Sequence, residues 1–316
     1  MQTPVVSLVI RAFNEEQYLG RLLSSVAAQT IKDVEIILVD SGSTDNTLAV
    51  ARQHPVKVVH IDPAEFTFGR SLNLGISHAS ADLVAIASAH VYPSSRDWLE
   101  KLIAPFDNPQ IALSYGAQRG EGATKFSEHQ HFQEWFPDAS DPEQSRPFCN
   151  NANAAIRRSL WDLHPYDETL TGLEDIAWAS WAVEQGYRLA YVAEAAVVHV
   201  HDETPRQIYN RYLRESIALK RILPRSRFTL RFFLTHFLRY AAKDALAALR
   251  QRVFLRHFFS ILQFRLLQYW GTYRGYQFPG PLTEELKHTF YYSPKHLGPH
   301  PAPTPSLSYN KPTDQP

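Results

Sequence analysis

VVSLVIRAFNEEQYLGRLLSSVAAQTIKDVEIILVDSGSTDNT, residues 5–47, is the stretch that determines the predicted fold. The runs Val5–Ile10 and Val34–Asp40 are dense in β-branched residues, which is typical of parallel strands covered on both faces. Between them, Glu15–Gln29 places its apolar residues on one helical stripe. This order predicts a strand, a helix and a second strand that pairs in parallel with the first.

The same alternation continues to residue 87. We expect a helix after Asp40, capped by Ser43 or Thr44. A third strand is predicted over Val56–Ile61, a helix over Gly69–Ala79 and a fourth strand over Asp82–Ala87. These units predict an α/β fold with a mostly parallel sheet flanked by helices.

Polar residues follow three of these strands, at the sheet edge where ligands of such folds bind. The clusters are Arg11–Glu15, Asp40–Ser43 and Ser88–His90. We therefore expect the functional site at this edge.

The pattern is more mixed from Ile111 to His201. A strand is predicted over Ile111–Gln118, a strand followed by a helix over Asn151–Trp161, and a helix over Gly172–Tyr187. Residues 188–201 predict two short strands, with Val197, His199 and His201 on one alternating face.

Charge divides the 316 residues into two regions, although the net charge is zero. Between Arg206 and Gly275 there are 15 Lys and Arg residues against only Glu215 and Asp244. A single cysteine, Cys149, excludes an internal disulfide framework and suits a reducing compartment. The first residues lack the features of a signal peptide, and no apolar run reaches the roughly 18–20 residues that span a bilayer.

We accordingly expect three parts: a nucleotide-binding domain over 1–204, a basic amphipathic helical region over 205–280, and a Pro-rich, largely irregular tail over 281–316. Arginines interleaved with Phe, Leu and Trp over Arg225–Trp270 are typical of helices that lie on an anionic membrane surface. Packing of these helices on the first domain is the alternative interpretation. Nucleic-acid binding is the least favoured of the three, and we expect no nucleic-acid partner.

Four segments together resemble the inverting glycosyltransferases of family 2, which have the nucleotide-sugar-binding GT-A fold. They are SLVIRAFNEEQYLGRLLSSVAAQT, IILVDSGSTDNT, SLNLGISHASADLVAIASAH and GLEDIAWASWAVEQGYRL. The likeness covers Val5 to His201. In addition, Gly271–Tyr276 is similar to family members that transfer rhamnose. The resemblance implies a nucleotide-diphosphate sugar as donor.

Seven residues are expected to bind the donor, and five of them lie outside the Ser88–His90 segment. Asp40 could accept a hydrogen bond from the base or ribose, and the alternative is that it only caps the next turn. The family places residues such as Asn14 and Glu15 near the nucleotide, although Glu15 could be an ordinary first-turn carboxylate. Arg70 and Asn73 match the stretch that lines the donor, where Arg70 could offset diphosphate charge or simply be a surface arginine.

Inversion needs a base that deprotonates the acceptor hydroxyl. Asp175 matches the catalytic aspartate of the family, and Glu174 supports it or contacts the acceptor. Both carboxylates would also suit a helix N-terminus without any catalytic part. Trp178 could stack on an acceptor sugar, or it could belong to the core.

Where the family usually has Asp-x-Asp to hold a metal ion, this chain has Ser88-Ala89-His90. We expect Ser88 and His90 at the donor diphosphate, and His90, His199 and His201 as metal ligands. Mn²⁺ or Mg²⁺ is the expected ion, although three imidazoles suit transition ions better than Mg²⁺. Metal-free stabilisation by His90 remains open, as does a purely structural role for these histidines.

The sequence thus predicts an inverting glycosyltransferase that acts on a glycan or polyprenyl-linked acceptor in cell-surface polysaccharide or glycolipid assembly. We expect it in the cytoplasm, peripheral to the inner face of the membrane. A catalytically impaired sugar-nucleotide-binding scaffold and a retaining glycosyltransferase are the alternatives. A nucleotidyltransferase is disfavoured because Arg11–Glu15 contains no Gly-rich phosphate loop.

Overall fold

The computed structural model describes residues 3–122 and 124–292 of the chain. Its strands, in chain order, are β1 Val6–Ala12, β2 Val34–Asp40, β3 Val56–His60, β4 Leu83–Ser88, β5 Val91–Pro93, β6 Ile111–Arg119, β7 Asp141–Gln144, β8 Asn153–Arg157 and β9 Arg188–His199. Its α-helices are α1 Leu19–Ala27, α2 Thr47–Ala51, α3 Phe68–Ser77, α4 Trp98–Ile103, α5 Phe126–Trp135, α6 Arg158–Leu163, α7 Glu174–Glu184, α8 Pro205–Ile222, α9 Leu230–Arg250, α10 Phe254–Tyr276 and α11 Glu284–Tyr291.

All the strands of the described residues join one sheet, in the order β3-β2-β1-β4-β8-β6-β9-β5, with β7 paired to another part of β9. Strands β3, β2, β1 and β4 are parallel, as the sequence predicts. Strand β8 runs antiparallel to β4 and β6, so the second half of the sheet is mixed. The parallel half brings the carboxyl ends of β1, β2 and β4 to one edge.

Both faces of the sheet are buried, which explains the unbroken apolar runs of its strands. Leu8 and Ile10 of β1 point to one core cluster, which includes Leu22 of α1. Val9, between them, points to the other cluster, which includes Leu72 of α3 and Ala179 of α7. Helices therefore cover each face, as predicted.

Two local predictions need correction. Helix α2 begins later than expected, and its N-cap residue is Asn46 rather than Ser43 or Thr44. The two short strands predicted over residues 188–201 are one strand, β9, which ends at His199. The register of β6 against β9 shifts between Gly116 and Gln118. Gly116 pairs with Val192, whereas Gln118 pairs with Val197. Pairing of β9 with β7 and β5 on its other side keeps the backbone extended through this irregularity.

Asn153 satisfies backbone groups at this irregularity. Its side-chain amide donates to the carbonyl oxygens of Ala117 and Ala195, and its oxygen accepts the Trp98 indole N–H. A buried carbonyl without a partner costs about 1–3 kcal/mol, so this network stabilises the bulge. The bulge in turn places Gln118 beside His199.

The basic region folds as helices α8, α9 and α10. Gly271 and Gly275 let α10 approach α8 closely, because a Cβ at either position would lie 2.7 Å or less from a carbonyl oxygen of α8. Arg265 of α10 forms a buried ion pair with Asp244 of α9 and donates to the Ser127 carbonyl oxygen of α5. One face of the helical region thus packs on the sheet-containing part.

The tail prediction also needs correction over residues 284–291, which form helix α11. Thr283 caps this helix by accepting a hydrogen bond from the Leu286 backbone N–H. The predicted irregular tail beyond Tyr292 lies outside the described residues.

Candidate active site

A cleft of about 1340 Å³ lies between the carboxyl edge of the sheet, helix α5, the start of α7 and helices α8 to α10. Eight of the twelve residues predicted for the site line it: Asn14, Glu15, Ser88, His90, Glu174, Asp175, His199 and His201. Residues separated by almost 190 positions in the sequence therefore meet in one place.

Asp175 and Glu174 begin helix α7 at the wall of the cleft. Asp175 is 7% exposed, and its two carboxylate oxygens accept the backbone N–H groups of Asn151, at 3.0 Å, and Ile176, at 2.8 Å. Glu174 contacts Arg11, with 3.4 Å between Oε1 and Nη1. Burial and the Glu174 charge raise the pKa of Asp175 to about 7, and the two backbone hydrogen bonds oppose that rise. A carboxylate with a pKa near neutrality suits general-base catalysis.

The backbone before this pair is strained. Leu173, the N-cap residue of α7, has φ 58° and ψ 26°, a left-handed conformation that costs a residue with a branched side chain about 1 kcal/mol or more. Asn14, on the opposite side of the cleft, also has a positive φ, of 54°. Such strain is concentrated at functional sites, where the surrounding structure holds it in place.

The structure brings His90, His199 and His201 together. One nitrogen of each ring lies within 4.8 Å of one nitrogen of each other ring. The Nε2 atoms of His199 and His201 are 3.0 Å apart, and the His90 and His199 rings stack with centroids 5.0 Å apart. The spacing therefore permits the shared metal site that the sequence predicts.

Each Nδ1 atom of these histidines has an oxygen acceptor. The acceptors are Glu15 for His90, at 2.7 Å, Gln118 for His199, at 2.6 Å, and Glu128 for His201, at 2.6 Å. An Nδ1–H that donates leaves Nε2 as the ligand atom, which is how second-shell carboxylates orient metal-binding histidines. Two lone pairs facing each other at 3.0 Å would repel, so a proton on one of the two Nε2 atoms or a bound metal ion would stabilise the His199–His201 contact.

Charge around the cluster differs from one histidine to the next. Burial opposes protonation of His90, but the adjacent Glu15 carboxylate raises its pKa above the ordinary value. Burial lowers the pKa of His199 well below its ordinary value, and the positive charges of His201 and His90 add to this effect. His199 is thus neutral at physiological pH, the form in which imidazole binds metals.

This donor set fits a transition ion. Three imidazole nitrogens with oriented second-shell acceptors suit Mn²⁺, Zn²⁺ or Co²⁺, whereas Mg²⁺ prefers hard oxygen ligands. Glu128 and Glu203 offer carboxylate oxygens in an overlapping group with His201. Arg211 of α8 contacts both carboxylates at 2.6 Å, so the helical region helps to hold the ligand shell.

The remaining donor residues have other partners in this structure. Asp40 is 1% exposed, and its carboxylate accepts the backbone N–H groups of Gly42 and Ser43, which is the turn-capping alternative. Asn14 also joins two loops, because its side-chain oxygen accepts the Thr44 backbone N–H at 2.7 Å. The Glu15 carboxylate accepts a hydrogen bond from His90, so it is not only a first-turn carboxylate. A donor contact for these residues stays a prediction.

Three other predicted residues lie outside the cleft in this structure. Arg70 lies outside the cleft lining and pairs with Glu65 at the surface, with 3.0 Å between Nη2 and Oε2. Asn73 also lies outside it, since both atoms of its amide bind the segment around Tyr166. Trp178 is 1% exposed in the core, and its indole N–H donates to the His164 carbonyl oxygen. Trp178 thus belongs to the core, which is the alternative that the sequence left open for it.

Sequence reasoning missed several residues of the cleft wall. Gln118 and Glu128 orient histidines, yet neither lies in a recognisable motif, and only the fold brings them there. Trp135 is 40% exposed at the cleft and packs on Phe148 with ring centroids 4.7 Å apart. The only sequence signal for this wall was the presence of aromatic residues in the otherwise polar stretch 133–150.

The outer surface of the helical region is apolar and basic. Leu255 and Phe259 of α10 are 90% and 80% exposed, and Arg252 and Arg256 beside them are also exposed. Over the described residues, each helix is too short or too polar to cross a membrane.

Comparisons with known proteins identify a family for this chain. The model of the family described as "Glycosyl transferase family 2" matches residues 7–163. O-antigen chain rhamnosyltransferase RfbN of Salmonella typhimurium is 28% identical over 219 residues, which are 66% of this chain and 70% of that protein. WbaN of Salmonella anatum, an O-antigen chain rhamnosyltransferase, is 28% identical over 58% of this chain and 62% of its own length.

Solved structures share the fold. The mannosyltransferase PcManGT from Pyrobaculum calidifontis, in complex with GDP-Man and Mn²⁺, aligns with a TM-score of 0.59 and 18% identity over 92% of this chain and 87% of that one. TarS residues 1–349 of S. aureus, in complex with UDP-GlcNAc, align with a TM-score of 0.54 and 16% identity over 83% and 90%. The α/β architecture is therefore GT-A-like, and the chain belongs to glycosyltransferase family 2, with rhamnosyltransferases among its relatives.

Proposed function

We propose that this glycosyltransferase moves a sugar, with inversion, from a nucleotide-diphosphate sugar to a hydroxyl of a glycan or lipid-linked acceptor in cell-surface polysaccharide assembly. The observation that carries the proposal is the buried Asp175 carboxylate, with a pKa near 7, in the same cleft as the histidine cluster. The O-antigen chain rhamnosyltransferases at 28% identity favour a deoxyhexose donor and an O-antigen-like acceptor.

Asp175 accepts the proton of the acceptor hydroxyl as that oxygen attacks the anomeric carbon. Each of its carboxylate oxygens accepts one backbone N–H and keeps a second lone pair for the hydroxyl. The two backbone hydrogen bonds fix the carboxylate in one orientation, which lowers the entropic cost of reaching the transition state. Glu174, held by Arg11, keeps the Asp175 pKa high enough for proton transfer near neutral pH.

The acceptor enters along the aromatic wall of the cleft. Trp135 and Phe148 offer an apolar surface to a sugar ring, in place of the buried Trp178. The chain from Phe148 leads within three residues to Asn151, whose backbone N–H binds Asp175. A sugar stacked on this platform would extend toward the base.

His90, His199 and His201 would hold a divalent ion. Such an ion, when bound, supplies positive charge to the diphosphate that leaves. The nitrogen-rich donor set favours Mn²⁺ or another transition ion over Mg²⁺, and the fold relatives crystallised with Mn²⁺ make a divalent ion a reasonable expectation. Without an ion, His90 and Ser88 would act as hydrogen-bond donors to the diphosphate.

We further propose that the exposed face of α9 and α10 rests on anionic lipid at the cytoplasmic side of the membrane. Leu255 and Phe259 would insert between headgroups while the neighbouring arginines pair with phosphates. Each arginine near such a surface contributes about 1 kcal/mol. This placement suits a lipid-linked acceptor and the single buried cysteine.

A donor panel tests the function. Thermal melting is followed with UDP, GDP, dTDP and CMP sugars, each with Mn²⁺, with Mg²⁺ or with EDTA, and nucleotide release is then measured for the donor that stabilises the protein. We expect one nucleotide class to raise the melting temperature and to be turned over. Stabilisation without any turnover would favour the scaffold alternative, and no stabilisation by any donor would contradict the proposal.

A further inference from the structure

Arg214 of helix α8 is a half-buried arginine without a carboxylate partner. Its Nη1 donates to the Phe290 carbonyl oxygen at 3.2 Å, and its buried Nε has no hydrogen-bond partner. Among the described side chains, no carboxylate lies within 4.0 Å of its guanidinium, whereas Arg211 contacts two carboxylates and buried Arg265 contacts one. A cation whose donor nitrogen is buried without a partner is costly to the fold, and an anionic ligand would remove that cost.

Arg214 lies at the loop that carries the base. Its backbone carbonyl oxygen accepts the Thr171 hydroxyl at 3.0 Å. A Cβ placed on Gly172 would lie 3.5 Å from Arg214 Nε, so the two residues are in van der Waals contact distance. Glu174 and Asp175 follow Gly172 by two and three residues, so Arg214 lies beside the segment that leads to both carboxylates.

A second guanidinium is next to it. The Cζ atoms of Arg11 and Arg214 lie 4.7 Å and 4.5 Å from the centroid of the same Phe68 ring. Arg11 is also the β1 residue paired in register with Ser88 of β4. The Phe68 ring thus packs against two guanidinium groups. These groups lie between the Ser88–His90 segment and the loop that carries Asp175.

The local charges do not cancel. Glu174 contacts Arg11 at 3.4 Å but is more than 4.0 Å from Arg214. Burial lowers the pKa of Arg214, and Glu215, Tyr291 and Glu174 act against that shift only from a distance. Arg214 therefore has no contacting carboxylate at the cleft wall, where an anion would be stabilised by a fork of N–H donors.

We propose that Arg214, with Arg11 beside it, binds the diphosphate of the nucleotide-sugar donor and neutralises it as it leaves. The inference rests on the proposed function only in naming the donor as the source of the diphosphate. Arg214 lies outside residues 7–163, which match the family model, so the helical region supplies this contact. A prenyl diphosphate has the same chemistry, and the experiment separates the two sources.

The test is calorimetric titration in EDTA, which removes any contribution of a metal ion. The probes are inorganic pyrophosphate, the nucleoside diphosphate found in the donor panel, the matching nucleoside, and farnesyl diphosphate. The variants are Arg214→Gln, Arg214→Lys and Arg221→Gln. Arg221 is a matched control, because it is an exposed arginine of the same helix that also donates to a backbone carbonyl oxygen, that of Thr169.

We expect Arg214→Gln to weaken pyrophosphate and nucleoside diphosphate at least tenfold and to leave the nucleoside unchanged. Arg214→Lys should be intermediate, and Arg221→Gln should match the wild type. Melting curves verify folding. If the Gln variant is unfolded, the Lys variant is used instead, and its nucleoside diphosphate affinity is compared with that of the wild type. Nucleoside diphosphate affinity within twofold of the wild type in the folded Arg214 variant would overturn the proposal.

Two further results separate the proposals. A loss confined to farnesyl diphosphate would overturn the assignment to the donor. If the wild type binds pyrophosphate through Arg214 but binds no nucleotide, the proposed function fails while the anion site stands.

Discussion

The difference in unfolding free energy between Asp175→Asn and the wild type should shift in favour of the variant as pH rises. The pKa of Asp175 is raised to about 7 in the fold, against a usual value near 4 in an unfolded chain. Between these values the folded state binds more protons than the unfolded state, so the free energy of unfolding falls as pH rises. From pH 5 to pH 8 this amounts to about 2.6 kcal/mol, at about 1.36 kcal/mol per unit over the range between the two pKa values, and the loss levels off above pH 8.

Urea unfolding of wild type and Asp175→Asn at pH 5 and pH 8 measures this contribution. The Asn amide also loses one backbone hydrogen bond, but that cost is the same at both pH values and cancels in the difference between them. The variant should therefore gain about 2–3 kcal/mol over the wild type on going from pH 5 to pH 8. Asp162→Asn, which removes an exposed carboxylate, is the control and should alter stability by less than about 0.5 kcal/mol. An equal difference between wild type and Asp175→Asn at both pH values would refute the raised pKa.

Three other predictions follow from the same geometry. Glu174→Gln removes a charge that raises the Asp175 pKa, so the acidic limb of the kcat/KM profile should move to lower pH; an unmoved limb would contradict the coupling. Glu128→Gln should weaken Zn²⁺ or Co²⁺ binding by about 10- to 100-fold, because His201 loses its orienting carboxylate. Calorimetric titration measures the affinity, and a wild-type value in the variant would count against the metal site. Leu255→Glu with Phe259→Glu should reduce sedimentation with phosphatidylserine vesicles while nucleotide release in solution stays unchanged, whereas undiminished sedimentation would place the lipid contact elsewhere.

The sequence predicts the parallel half of the sheet well because its strands β1, β2 and β4 are buried on both faces. Val34–Asp40 has the predicted bounds, and Ile111–Gln118 differs from β6 by one residue. The meeting of His90, His199 and His201 was also predictable, since His90 follows the end of one strand and the other two lie at the end of another. Strand ends converge at a sheet edge whatever the details of the loops.

What the sequence could not supply depends on long-range packing. Gln118 reaches His199 only because the register of β6 and β9 shifts, and no local pattern encodes that shift. Trp178 follows the catalytic carboxylates by one turn, but its exposure depends on what covers α7. Arg214 is one arginine among many in a basic region, and only its missing carboxylate distinguishes it.

The central claim is that Asp175 is the base of sugar transfer, and a comparison of donor binding with turnover tests it most directly. Wild type and Asp175→Asn are titrated with the donor found in the panel, and release of its nucleoside diphosphate is followed with a membrane extract as the source of acceptor. The account predicts similar Kd values for the two proteins and a kcat reduced by about 10²-fold or more in the variant. Turnover by Asp175→Asn at the wild-type rate would contradict it.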